Sequence, residues 1–206
     1  MSNELNGRAF WRMADLSVAL LFAATCFQLY YCTGDIRWYA ENNLFELSQD
    51  AFLCGGAVLF FSAALWVRDR VSRLALLALT MFCLSILFRE MDVRGTNLDS
   101  YLDYAFQHRW HYAFLGVLWL AIFFLSLRHF RLSVIYILRW VLGIAGALMI
   151  VGILFYVLGD VAEKHLFSGN EDLSEMIEES MEQLGTLFIF LSGYVTLRRL
   201  NSRRTS

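Results

Sequence analysis

EESMEQLGTLFIFLSGYVTL, running from Glu178 to Leu197, is the stretch on which the topology of this chain turns. A helix rises about 1.5 Å per residue, so its apolar part, Gly185 to Leu197, covers only about two thirds of a hydrocarbon core about 30 Å thick. To cross a bilayer, the segment must carry its acidic turn, Glu178-Glu179-Ser180-Met181-Glu182, in with it. Ionisable groups at membrane depth are costly and face a protein interior, a cavity or a ligand, so this stretch both completes the fold and marks where function is first sought.

The rest of the chain supplies the context for a membrane segment. Of its 206 residues 58% are hydrophobic and only 17% charged, and the apolar residues fall in long blocks, a pattern that excludes a soluble globular domain. The blocks read as six spans at about 13–32, 51–67, 74–93, 111–127, 141–159 and 178–197, the third and sixth including their polar extensions. The expected fold is an all-α integral membrane protein, a six-transmembrane-helix bundle forming a single polytopic membrane domain over residues 1–206. No proline and no Ser/Gly-rich linker interrupts it.

Charge sets the orientation. On the side of the termini the residues before the first span, Arg68 to Arg73, Arg128 to Arg139 and the tail from Arg198 total about +9, whereas the other three connections total about −11. The positive-inside rule therefore places both termini in the cytoplasm (N-in/C-in) of a bacterial-type cytoplasmic (inner) membrane, with helical, acidic connections facing outward. The first apolar block is of span length and follows polar residues, so it reads as an anchor and not as a cleaved signal. Cys26, Cys32, Cys54 and Cys83 sit in or beside apolar spans without metal or redox spacing and read as small buried hydrophobes, with a Cys32–Cys54 disulfide as the alternative.

In the last outward connection Leu173, Met176, Ile177, Met181 and Leu184 recur at helical spacing, opposite Asp172, Glu175, Glu178, Glu179 and Glu182, so an amphipathic helix is expected to run straight into the sixth span. Gly55-Gly56 and the series Gly143, Gly146, Gly152 suit close helix approach. Tyr30, Tyr31, Trp38, Tyr39, Trp110 and Tyr112 on the outer side, and Trp11 and Trp140 on the inner, read as interfacial belts.

Ionisable residues gather at the outer ends. Span three is short before Arg89-Glu90-Met91-Asp92, where Arg89 and Asp92 can pair on one face while Glu90 points elsewhere. His108 and His111, three apart, share one face of span four. Glu41 and Glu46 precede span two, Asp160 and His165 follow span five, and Glu178 and Glu182 enter span six one turn apart. Carboxylates and imidazoles from separate helices are how bundles hold zinc, manganese or iron. A solvated acidic face, which positive-inside orientation leaves behind, accounts for the same residues without a ligand.

Known signatures do not fit. Glu178-Glu179 resembles the paired glutamates of the intramembrane CPBP-type proteases, but the arginine of that pattern is replaced by Gln183 and the later histidine motifs are missing. Trp38-Tyr39-Ala40-Glu41-Asn42-Asn43 resembles the start of the alkaline ceramidases, yet their closing histidine pair has no counterpart after His165. A rhomboid-type G-x-S-x-G, mid-span haem histidines, a Walker A loop and a retinal-type lysine are also absent. Mid-span positions are almost wholly apolar, which disfavours a cation or proton-coupled transporter.

The leading expectation is an outward-facing site at the membrane interface that binds a divalent metal ion and acts on a lipid or lipid-linked substrate. Glu90, Glu178 and Glu182 are its candidate ligands or general bases, His108 and His111 candidate ligands or proton carriers, and Arg89 the candidate holder of a substrate phosphate. The alternative is a non-catalytic membrane scaffold or regulatory subunit, touching its partner through the acidic cap or the arginine-rich tail. Membrane lipids and, under the second reading, a membrane protein are the expected partners; no nucleic acid is.

Overall fold

The computed structural model describes residues 2–32, 44–90, 110–163 and 171–205. Among these residues the chain forms seven helices: α1 (Ser2–Cys32), α2 (Leu44–Trp66), α3 (Arg70–Glu90), α4 (Trp110–Leu127), α5 (Phe130–Val141), α6 (Ile144–Glu163) and α7 (Glu171–Thr205). Three helices are long and apolar enough to cross a membrane, over Trp11–Tyr30, Phe45–Trp66 and Arg70–Arg89. A fourth crossing follows if α4 and α5, bent by 107° between Leu127 and Phe130, count as one. This is the composition of a helical membrane protein.

Local chemistry explains the helix ends. In the turn between α2 and α3, the Asp69 carboxylate accepts the backbone N–H of Ser72 at 2.8 Å and its hydroxyl at 2.7 Å, capping α3. Those bonds stabilise the ionised form and hold the Asp69 carboxyl below the usual 3.8. Arg73 donates to the Val67 carbonyl at 2.9 Å and closes the hairpin.

The segment Arg128 to Arg139, expected as a plain connection, contains α5 instead. Phe130, Val134, Ile137 and Val141 share one face of it, with Arg131 and Arg139 directed away. Helix α6 consequently starts at Ile144 and not at 141. The corner between them is tight: a Cβ on Gly146 would stand 2.2 Å from the Val141 Cα, so the backbone itself excludes any side chain there.

The core is built by α2, α3, α6 and α7 around Leu53, Phe60, Leu76, Cys83, Met149, Tyr156 and Ile189. The most extensive contact is α6 with α7, then α2 with α7 and α2 with α3. At the α6–α7 crossing the backbones nearly touch. A Cβ on Gly152 would lie 2.7 Å from the Gly185 carbonyl oxygen, and one on Gly185 would lie 2.8 Å from that of Gly152. Small residues bring helices together in lipid, where no hydrophobic force does so.

Helix α7 is continuous from the acidic segment through the apolar run to the arginines. By contrast, α1 touches α7 only sparsely. Asp15 accepts a hydrogen bond from the Tyr194 hydroxyl and pairs with Arg198 at 3.3 Å, while the Arg198 guanidinium lies 5.1 Å from the Trp11 ring centroid. Of the cysteines, Cys83 is buried as expected, whereas Cys26 and Cys54 are exposed and free. Their thiols therefore face away from the core.

Candidate functional site

Where α2, α6 and α7 meet beside the α6–α7 crossing, polar side chains are drawn inside the bundle. Glu182 is 5% exposed and lies against Gly159 of α6: a Cβ on that glycine would be 2.6 Å from the Glu182 Cγ and 3.2 Å from the Glu178 carbonyl oxygen. Gly152, Tyr156 and Gly159 fall at i, i+4 and i+7, one face of α6, and meet Gly185 and Glu182 of α7 in the same order. Lacking side chains, the glycines leave the groove that Glu182 occupies.

On the other side of α7 two amides join it to α2. Gln49, 2% exposed, donates to the Glu179 carboxylate at 2.8 Å and reaches its carbonyl at 3.4 Å. Gln183, fully buried, donates to the Ser48 hydroxyl at 2.9 Å, and its Oε1 has no hydrogen-bond partner among the described residues. A buried acceptor left unpaired costs about 1–3 kcal/mol, so this oxygen marks a place suited to a donor or a cation. Ser174 extends the layer towards the start of α7 by donating to the Ala162 carbonyl.

Arg89, at the end of α3, sets its guanidinium 5.5 Å from the ring centroid of Tyr156, one turn of α6 from Gly159. A cation over an aromatic face is stabilised by the ring quadrupole. The C-terminal end of α3 is thereby brought to the groove that holds Glu182.

Of the residues singled out from sequence, Glu178, Glu182 and Arg89 are thus seen at this end of the bundle. Glu90 closes α3 and His111 lies in the first turn of α4, but their side chains are outside the description. His108, Asp92, Glu41 and His165 lie outside the described residues altogether. Among the described residues no group of three His, Cys, Asp or Glu side chains comes together to hold a metal. Glu178 and Glu182 offer oxygen ligands one turn apart, and further ligands would have to come from the end of α3 or the start of α4.

Gln49, Gln183, Ser48 and Gly159 were not anticipated. Gln49 sits among the apolar neighbours Phe45, Phe52 and Leu53, a signal the sequence offered, whereas Gln183 is flanked on its face by Glu179, Ser180 and Thr186 and gains meaning only from its burial. Compared with models of known protein families, with curated proteins and with solved structures, the chain matches none.

Proposed function

We propose that this is a six-span protein of a bacterial-type inner membrane with both termini cytoplasmic, and that its outward polar layer is part of a divalent-cation site acting on a lipid or lipid-linked substrate. In this reading α1, α2, α3, α4, α6 and α7 cross the membrane and α5 lies along the inner interface, as its bend and its exposed apolar residues suit. The 35 residues of α7 make a helix about 50 Å long, so it spans the core and still extends its acidic end outward.

The observation that carries the site is Glu182, a carboxylate buried at the depth where the sixth apolar run begins and held over Gly159. A buried carboxylate is stable only among compensating groups; Glu182 already has a partner in the fold, and a bound cation would join that set. Glu178 one turn outward supplies a second carboxylate, and the Gln183 oxygen lies on the adjoining face. Glu90, His108 and His111 are the proposed remaining ligands or proton carriers, and Arg89 the group that would receive a phosphate.

Metal content decides the matter. Purified full-length protein should carry about one divalent ion per chain after dialysis, and the double variant Glu178→Ala, Glu182→Ala should lose it while eluting as the same species on gel filtration. Absence of stoichiometric metal from the unmodified protein refutes the proposal.

A further inference from the structure

At the opposite end of the bundle, α5, α6 and α7 enclose a cleft of about 330 Å³ whose lining includes Arg139, Arg199, Tyr136, Trp140, Ala145 and Thr196. Its back wall is fixed. The Trp140 indole N–H donates to the Thr196 hydroxyl at 3.2 Å, that hydroxyl donates to the Ser192 carbonyl at 2.8 Å, and Ser192 donates to the Ala145 carbonyl at 2.7 Å. These groups have satisfied one another, and the two guanidiniums lie outside that chain of bonds.

Neither Arg139 nor Arg199 is ion-paired among the described residues. The carboxylates described at this end are held elsewhere, Asp15 by Tyr194 and Arg198 and Asp69 by Ser72. Arg199 is placed against the α5–α6 corner, its Nη1 only 3.0 Å from where a Cβ on Gly143 would stand. That corner opens α6, and the first backbone N–H groups of a helix have no partner within it. Two guanidiniums from separate helices therefore line one cleft beside the start of a third helix, a donor pair that matches a phosphate group. Trp140, Ala145 and Leu200 add apolar surface to the same lining.

We propose that this cleft binds the phosphate of an anionic phospholipid headgroup. A free phosphate offers the arginines the same oxygens, and the titrations below separate the two sources. Basic pockets between membrane helices on the positively charged side are suited to such headgroups. The site is independent of the acidic layer and uses none of its residues.

Thermal unfolding of the full chain in a zwitterionic detergent, titrated separately with short-chain phosphatidylglycerol, short-chain phosphatidylcholine and inorganic phosphate, tests it. Phosphatidylglycerol should raise the unfolding midpoint saturably, phosphatidylcholine should not, and inorganic phosphate should act only at much higher concentration. Arg139→Gln and Arg199→Gln should each weaken the phosphatidylglycerol response by about tenfold, the equivalent of about 1.4 kcal/mol for a lost charge-assisted contact. Arg131→Gln, on the same helix but outside the cleft, should leave it unchanged. The proposal falls if Arg131→Gln weakens binding as much as the cleft variants, if phosphatidylcholine stabilises equally, or if inorganic phosphate matches the lipid at equal concentration.

Discussion

Replacing Gly185 with alanine tests the packing that positions Glu182. The new Cβ would stand 2.8 Å from the Gly152 carbonyl oxygen, 2.8 Å from the Tyr156 backbone nitrogen and 3.1 Å from the Tyr156 Cβ. Ordinary contact begins at 3.4 Å, so α6 must retreat by about 0.6 Å, and because two of the three atoms are backbone no rotamer change relieves the clash. Overpacking of this kind costs about 1–3 kcal/mol, against which alanine recovers about 1 kcal/mol of helix preference. Since two backbone atoms one turn apart on α6 are struck, the upper half of that range applies, and a net loss of about 1–2 kcal/mol follows.

For a chain of this size each kcal/mol moves a melting midpoint by about 2–4 °C, so a fall of roughly 2–8 °C is expected in detergent melts followed by circular dichroism. Gly116→Ala is the control, because nothing lies within 4 Å of a Cβ there, and it should melt at or slightly above the unmodified protein. Gly152→Ala should destabilise similarly but not additively with Gly185→Ala, since the first retreat relieves the second clash. A Gly185→Ala midpoint at or above that of Gly116→Ala would refute the close crossing. Glu182 lies three residues from Gly185, so the same retreat should also loosen it from Gly159.

Two further expectations concern the end of the bundle that carries the α2–α3 turn. Asp69→Ala removes the α3 cap and should cost about 1 kcal/mol, with Asp69→Asn retaining part of it. Because the folded-state carboxyl lies below its usual 3.8, its contribution is present above about pH 4 and lost as pH falls through the lower value, so acid should destabilise the unmodified protein more than Asp69→Asn in melts at graded pH. Asp15→Ala removes the acceptor shared by Tyr194 and Arg198, and hydrogen exchange of the α1 amides around Trp11 to Leu16 should accelerate; unchanged exchange would show that α1 is held by something else.

What the sequence displayed, and what it concealed, follows from which forces act locally. Apolar blocks and an absence of proline make α1, α2 and α3 visible, because span length and backbone satisfaction are properties of one helix at a time. The amphipathic pattern from Leu173 and the run ending at Leu197 are likewise parts of one helix, α7. Helix α5 was obscured because Arg128, Arg131 and Arg139 dominate a charge count, although Phe130, Val134, Ile137 and Val141 already marked a helical face. The glycine pairing of Gly152 with Gly185 was half legible: Gly152 belonged to a recognised series, but its partner depends on helix order and crossing angle. Gln183 becomes meaningful only once burial is known, since an exposed glutamine carries no information and a buried one must be satisfied.

Helix α7 is the least apolar of the long helices by composition, yet it packs against α2, α6 and α1. These two facts have one cause. A helix that faces lipid must be apolar, as α1 is, whereas a helix surrounded by other helices faces protein and can carry polar groups wherever they find partners. Its buried residues include Ser174, Glu182, Gln183, Thr186, Ser192 and Thr196. Most of their bonds are short-range or run to a single neighbouring helix: Thr196 donates to Ser192, Thr186 to Gln183, Ser192 to Ala145 and Gln183 to Ser48. Hydroxyls committed in this way make adhesive contacts between helices and do not form a polar file through the bundle, so they lend no support to ion conduction. The short apolar run that begins at Gly185 is therefore what a central helix needs, and the acidic turn before it is admitted to the bundle because Gly159 and Gln49 receive it.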